Sequence, residues 1–222
     1  MRNTELEHLV NQQLNTQAFS DYAPNGLQVE GRSEVQKIVT GVTACQALLD
    51  EAVRLEADAV LVHHGYFWKN EAQTIKGMKR NRLKTLLAND INLFGWHLPL
   101  DAHPQLGNNA QLAKDLGIKV VGEVMPLVPW GELAEPVSGA WLAAKLTDVL
   151  GREPLHCGEN GPQRIKRIAW CSGGGRVLSM RRRTLASMLL SPEKCRNKPF
   201  TAPVNRACIS LRQDIMRLNV AG

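Results

Sequence analysis

No stretch of the sequence approaches the roughly 18 consecutive apolar residues that a bilayer-spanning helix needs, so a membrane-spanning helical protein is excluded as a reading. The first residues, Met1-Arg2-Asn3-Thr4-Glu5, are polar where a secretory signal would be charged and then apolar. A cytoplasmic location is therefore expected. Cysteine is sparse and scattered. Cys45, Cys157, Cys171, Cys195 and Cys208 form no CxxC pair, which argues against a disulfide scaffold and predicts reduced thiols. A P-loop is also missing: Gly173-Gly174-Gly175 is not followed by Gly-Lys-Ser/Thr and predicts a plain turn.

Excess positive charge is absent from most of the chain, although the net charge is +6. Residues 1–175 carry 17 basic and 19 acidic side chains, whereas residues 176–222 carry 10 and 2. All of the basic excess sits in the last 47 residues, a charge distribution that argues against a nucleic-acid partner for the chain as a whole; a nucleic-acid binder through Arg181–Arg183 is the third reading. After Gly175 the character changes. Arg181-Arg182-Arg183 opens a stretch with no His, no Asp before Asp214, no Gly before Gly222, and poor strand or helix periodicity.

What is present is an alternation of strand and helix signals. Thr4-x-x-Glu7 reads as a capping box opening a helix to about Leu14, and Ala23-Pro24-Asn25-Gly26 as a turn. Val35 to Thr43 predicts a strand, and Thr43-x-x-Gln46 a second capping box before a helix from Gln46 to Leu55. Ala57 to Val62 is apolar throughout, as in a strand buried on both faces. Ile75 to Ala88 predicts a helix, Ile91 to Trp96 a strand, and Asn108 to Leu116 a helix stopped by Gly117. The segment Leu127 to Pro136, with Pro126, Pro129 and Pro136 in or beside it, reads as a linker. A helix from Gly139 to Leu150 and a strand from Arg167 to Cys171 follow. The pattern predicts an α/β fold with a mostly parallel sheet flanked by helices and an incomplete second half. It divides into a first α/β domain (1–125), a linker and the start of a second α/β half (126–175), and a basic tail (176–222).

The chemistry concentrates at two predicted strand ends. In open α/β sheets ligands bind beyond the carboxyl ends of strands. Val62-His63-His64-Gly65 closes one strand, and Gly65 would let the backbone turn there. Adjacent histidines on a strand point to opposite faces, but where the strand gives way to a loop they can serve two neighbouring cations, and imidazole suits Zn, Fe, Ni or Mn. The alternative is a chance His pair in a loop. His97 and Asp101 follow the next strand, in Trp96-His97-Leu98-Pro99-Leu100-Asp101-Ala102-His103. Asp101 offers a carboxylate of the kind that bridges two cations. His103 reads as a surface-loop residue, and His8 and His156 as structural residues without partners. Lys76, Lys79, Arg80, Arg82 and Lys84 give the third helix a basic face, better explained by solvation than by phosphate binding.

Three segments, Asp21-Tyr22-Ala23-Pro24-Asn25-Gly26-Leu27-Gln28, Val62-His63-His64-Gly65 and Gly95-Trp96-His97-Leu98-Pro99-Leu100-Asp101, together resemble the GTP cyclohydrolase 1 type 2 homologs, or Nif-three-like proteins, in particular their enterobacterial YbgI-type members. The similarity runs from residue 1 to about 175. The resemblance implies two related α/β halves, two divalent metal ions per subunit, and a toroidal homo-hexamer. It implies metal ligands at His63, His64 and Asp101, with His97 as an acid/base or ligand-orienting residue. The family's further ligands, from a His-x-x-x-Glu motif, have no counterpart here, so the metal set is expected to be incomplete. Codons for Arg176 to Gly222 can be chosen so that the frame one nucleotide earlier reads as an acidic, His-bearing sequence ending His-His-Ala-Thr-Glu-Arg. The basic tail is accordingly expected to be out-of-frame translation and poorly ordered, and the nucleotide sequence of the gene tests this. For the intact family the resemblance implies a metal-dependent hydrolase of a small molecule, with the alternative of a non-catalytic metal-binding or interaction protein; with half of the ligand set absent, this chain is expected to bind a metal pair weakly or not at all and to be inactive.

Overall fold

The computed structural model describes residues 1–157 and 161–172, and the backbone of strands Met188–Ser191 and Cys208–Ser210. The triple-glycine turn, Arg181–Arg183 and the expected disorder of the basic tail lie outside the described residues, those two strands apart. Backbone contacts divide the described chain into two compact units, the first from Met1 to Leu100 and the second beginning at Asp101. No helix among the described residues is long and apolar enough to cross a membrane.

The first unit contains α1 (Asn3–Leu14), β1 (Gly26–Val29), β2 (Ile38–Thr43), α2 (Gln46–Arg54), β3 (Ala59–His64), α3 (Gly77–Ala88) and β4 (Asn92–Gly95). Its sheet has the order β1-β4-β3-β2. Strands β2, β3 and β4 run parallel, and β1 closes the edge antiparallel to β4. Parallel strands need both faces covered, and the side chains alternate accordingly. Val60, Val62 and Leu93 pack with Leu48, Leu49, Leu83 and Leu86 of α2 and α3 on one face. Ala59, Phe94 and Trp96 pack with Leu6 and Leu14 of α1 on the other. Burying one such Leu or Phe contributes about 1.5–3 kcal/mol, so this two-faced apolar pattern is what selects the parallel arrangement.

A buried polar hub ties the strands to the loops at the opposite, amino-terminal ends of β3 and β4. Asn92 is fully buried. Its Oδ1 accepts from Gly31 N–H (2.9 Å) and Asn3 Nδ2 (3.2 Å), while its Nδ2 donates to Arg32 O (2.8 Å) and Asp58 O (3.1 Å). The Asp58 carboxylate accepts from Gln36 N–H, Lys37 N–H and Arg32 Nη1 at 2.8–2.9 Å. Burial alone would raise the Asp58 pKa, but these donors outweigh it and hold the carboxyl below its ordinary value.

The second unit begins within the short helix α4 (Leu98–Ala102) and continues with α5 (Asn108–Leu116), β5 (Ile118–Met125), β6 (Val128–Val137), α6 (Gly139–Leu150), β7 (Leu155–Cys157), β8 (Ile165–Trp170), β9 (Met188–Ser191) and β10 (Cys208–Ser210). Its sheet has the order β5-β6-β8-β9-β10-β7, with β5, β6 and β8 successively antiparallel. Leu142 and Leu146 of α6 and Ala113 and Leu116 of α5 pack on Ile118, Leu133, Ile168 and Trp170. Helix α5, expected in the first domain (1–125), contributes instead to the core of the second unit. Gly117 ends α5 in the left-handed region, at φ +69°, where a side chain would be strained.

Several expectations are corrected. The proline-bearing segment 127–136 is not a linker: it forms β6, paired on both sides. Its prolines sit where the ladders are irregular. Pro129 adjoins a register shift against β5, and Pro136 falls within a register shift against β8. Strand β5 itself, masked in the sequence by Val-Val-Gly-Glu, was not anticipated. Neither expected capping box forms as read. Helix α1 is capped two residues earlier, at Arg2, with Glu5 accepting from Arg2 N–H (2.9 Å), while Glu7 accepts from Leu27 N–H (2.8 Å). Helix α2 is preceded by Cys45, and Thr43 ends β2 instead.

Candidate metal centre

Parallel strands bring their carboxyl ends to one edge of the sheet, and the first unit's chemistry lies there. In the ladder register Thr43 of β2 stands opposite His64 of β3, and Val62 stands opposite Gly95 of β4. His63 and His64 are the last residues of β3, and His97 follows β4 by two positions. Because β1 is antiparallel, with Gly26 opposite Gly95, the segment entering β1 reaches the same edge. That segment carries Asp21 and Asn25.

One potential ligand atom from each of His63, His64 and His97 lies within 4.8 Å of the others, the one His/Cys/Asp/Glu group among the described residues compact enough to hold a metal ion. The ring centroids are 4.4 Å apart for His63 and His64, 5.0 Å for His63 and His97, and 5.6 Å for His64 and His97. All three side chains are half-buried. The alternation that would part His63 from His64 is relaxed where β3 ends.

Each imidazole is held by its Nδ1. His63 Nδ1 is 2.9 Å from Trp96 O, and a carbonyl only accepts, so this nitrogen carries the proton. His97 Nδ1 is 2.7 Å from Asp21 Oδ1 and donates to that carboxylate. His64 Nδ1 is 3.2 Å from the Thr43 hydroxyl. For His63 and His97 the partner dictates a tautomer in which Nε2 carries the lone pair a cation needs, the arrangement that orients metal-binding histidines.

Asp21 is the residue that sequence reasoning missed. Its Oδ2 accepts from Leu98 N–H (2.8 Å) and Asn25 Nδ2 (3.0 Å), and Asn25 Oδ1 accepts from His97 N–H (2.8 Å). Its side chain is only 3% exposed. Burial acts to raise its pKa, but the bonds from His97, Asn25 and Leu98 prevail and keep the carboxyl below its ordinary range. The Trp68 ring stands edge-on to His97 at 5.1 Å and lies 5.8 Å from His64.

Gly65 has a different role from the one expected. Its place is set by the close approach of the Gln28 side chain, which a Cβ would overlap, and Gln28 Oε1 accepts from Tyr66 N–H at 3.2 Å.

The expected site residues fall as follows. His63, His64 and His97 come together. His97, expected to orient ligands or move protons, stands in the cluster as a potential ligand itself. Asp101 opens the second unit, where it is 4% exposed and its Oδ1 accepts from Asn108 Nδ2 (2.7 Å) and Ser172 Oγ (3.0 Å). His103 Nδ1 accepts from Gln105 and Leu106 N–H in a turn, and His8 and His156 are exposed. Lys76, which precedes α3, and Arg80 and Lys84 on it are exposed, while Lys79 and Arg82 lie over the rings of Phe67 and Tyr66.

The profile of the Duf34/NIF3 (NGG1p interacting factor 3) family matches residues 1–191, and the chain belongs to that family. It is 73% identical over 175 residues to the GTP cyclohydrolase 1 type 2 homolog of Escherichia coli K12, a match covering 79% of this chain and 71% of that protein. Against the homolog of the same name from Haemophilus influenzae the identity is 58% over 182 residues, with the same coverage. Among solved structures, protein ybgI, described as of unknown function, is 65% identical with a TM-score of 0.83, over 87% of this chain and 79% of that one. A crystal structure from Thermus thermophilus is 30% identical with a TM-score of 0.82, over 96% and 86% of the two chains.

Proposed function

We propose that the chain carries the cation-binding histidines, His63, His64 and His97, of a metal-dependent hydrolase acting on a small molecule. The carrying observation is that three imidazoles converge within 4.8 Å while each is held at Nδ1 by a separate partner. The donor set fits a borderline divalent cation such as Zn, Fe or Ni, since neutral imidazole nitrogens are among its preferred ligands. A chance grouping of histidines would not require a carbonyl, a hydroxyl and a buried carboxylate to orient the three rings.

When bound, such a cation would supply Lewis-acid charge for hydrolysis. The protein's own residues do the rest. Trp96 O and Thr43 fix His63 and His64 in orientation. Asp21 holds the proton of His97 on Nδ1 and so leaves the Nε2 lone pair of that ring to the cation. Gly65 and Gly95 let Gln28 pack against the strand ends that present the histidines.

The test is turnover by the metal-loaded chain on a panel of phosphomonoesters, phosphodiesters and nucleotides. Metal-dependent turnover lost in His64→Ala supports the hydrolase. Tight metal binding with no turnover on any member points instead to a metal-binding protein without this activity, and absence of metal binding contradicts both.

A further inference from the structure

A groove of about 680 Å³ opens beside the histidine cluster in the first unit. Its walls come from residues 21–24, which enter β1, and residues 67–79, which join β3 to α3. The Lys69 N–H donates to Tyr22 O at 2.7 Å and ties the two segments together. Asp21 and Trp68 line the groove and also contact His97, so the groove and the cluster share a wall.

Three features of the lining specify a ligand. The first is aromatic surface left uncovered in a concavity: Tyr22 is 64% exposed, and Phe67 and Trp68 are half-buried beside it. Single exposed apolar side chains are ordinary, but a concave cluster of rings is a stacking platform. The second is charge. Glu71 and Lys79 pair at 3.8 Å, with Lys79 also 5.0 Å from the Phe67 ring centroid, whereas Lys69 is exposed and its ammonium has no carboxylate partner among the described residues. One cation therefore remains to answer an anion. The third is volume, which lies within the several hundred cubic ångströms typical of small-molecule sites.

We infer that this groove binds a planar aromatic molecule carrying one phosphate or carboxylate group, its ring against Tyr22 and Trp68 and its charge answered by Lys69. That such a molecule is the substrate rests on the reading of the histidine cluster as a metal centre; that it binds does not.

The experiment titrates 1-naphthyl phosphate into the full chain by calorimetry, with inorganic phosphate as the control and in parallel with zinc binding. Saturable binding is expected, about tenfold weaker in Tyr22→Ala and in Lys69→Ala. Tyr22→Phe should retain it, inorganic phosphate should bind at least about tenfold more weakly, and zinc uptake should be the same in all three variants. Affinity as high as the parent's in Tyr22→Ala or in Lys69→Ala, no preference over inorganic phosphate, or no binding would each overturn the proposal. Zinc uptake without naphthyl phosphate binding removes the groove and leaves the metal centre. Tyr22-dependent binding by a chain that takes up no zinc keeps the groove and removes the metal centre.

Discussion

The first unit and the second differ in how their strands spend their ends. In the first, β2, β3 and β4 are parallel, so the tips of β2 and β3 and the residues after β4 emerge on one edge and place Thr43, His64, His63 and His97 within reach of one another. In the second, β5, β6 and β8 are antiparallel, so successive turns fall on alternate ends and the described side chains mostly serve the core around Trp170 and Leu142. Strand direction, more than the count of histidines, decides where chemistry can accumulate. His156 in β7 is as capable a ligand as His63, but it sits exposed in a three-residue strand outside any such cluster among the described residues.

The contrast can be broken from either side. The largest effect belongs to the apolar core of the second unit. Trp170 is fully buried and donates to Asn109 O at 3.0 Å, so Trp170→Ala should cost about 4 kcal/mol of stability in urea unfolding followed by circular dichroism. Next comes the polar hub of the first unit. Asp58→Ala strands three donors and should cost about 3 kcal/mol. The same carboxylate gives a pH test. Its folded pKa lies below the ordinary 3.8, so on acidification the unfolded chain takes the proton first. The stabilisation is complete above the unfolded value and is lost as pH falls through the folded one. Asp58→Asn should flatten the decline in stability between about pH 5 and pH 2, and an unchanged slope would contradict the assignment.

Smaller effects sharpen the comparison at the site itself. Asp21→Asn removes the carboxylate that fixes His97 and should weaken cation binding about tenfold while the circular dichroism spectrum stays the same. His156→Ala should leave cation binding unchanged, since that residue is outside the histidine cluster found among the described residues.

Much of the fold was legible because the signals were local. The apolar run ending at Val62, the periodicity of Gln46–Arg54 and the Gly117 stop each announce their element without help from distant residues. The histidine cluster was legible for a related reason: residues at the ends of adjacent parallel strands must meet. Asp21 was not legible, because in Asp-Tyr-Ala-Pro-Asn-Gly an acid reads as a turn former. Only the four-residue antiparallel strand β1, too short to read from periodicity, carries it to the His97 edge. Strand β6 was obscured because Pro129 and Pro136 argue against a paired strand unless the irregularities in the ladder are known. The misread capping boxes failed because Glu7 and Thr43 found tertiary partners, Leu27 and His64, that local spacing does not reveal.

The most direct test is a calorimetric titration of zinc or manganese into the metal-stripped chain beside His63→Ala, His64→Ala and His97→Ala. The parent should take up at least one equivalent, and His63→Ala and His64→Ala should each weaken it by about a hundredfold or more, as loss of a ligand from so small a donor set requires. His97→Ala should weaken it by about tenfold or more, since its ring belongs to the same cluster. Uptake by the three variants as tight as that of the parent would show that the converging imidazoles are not where the cation is held.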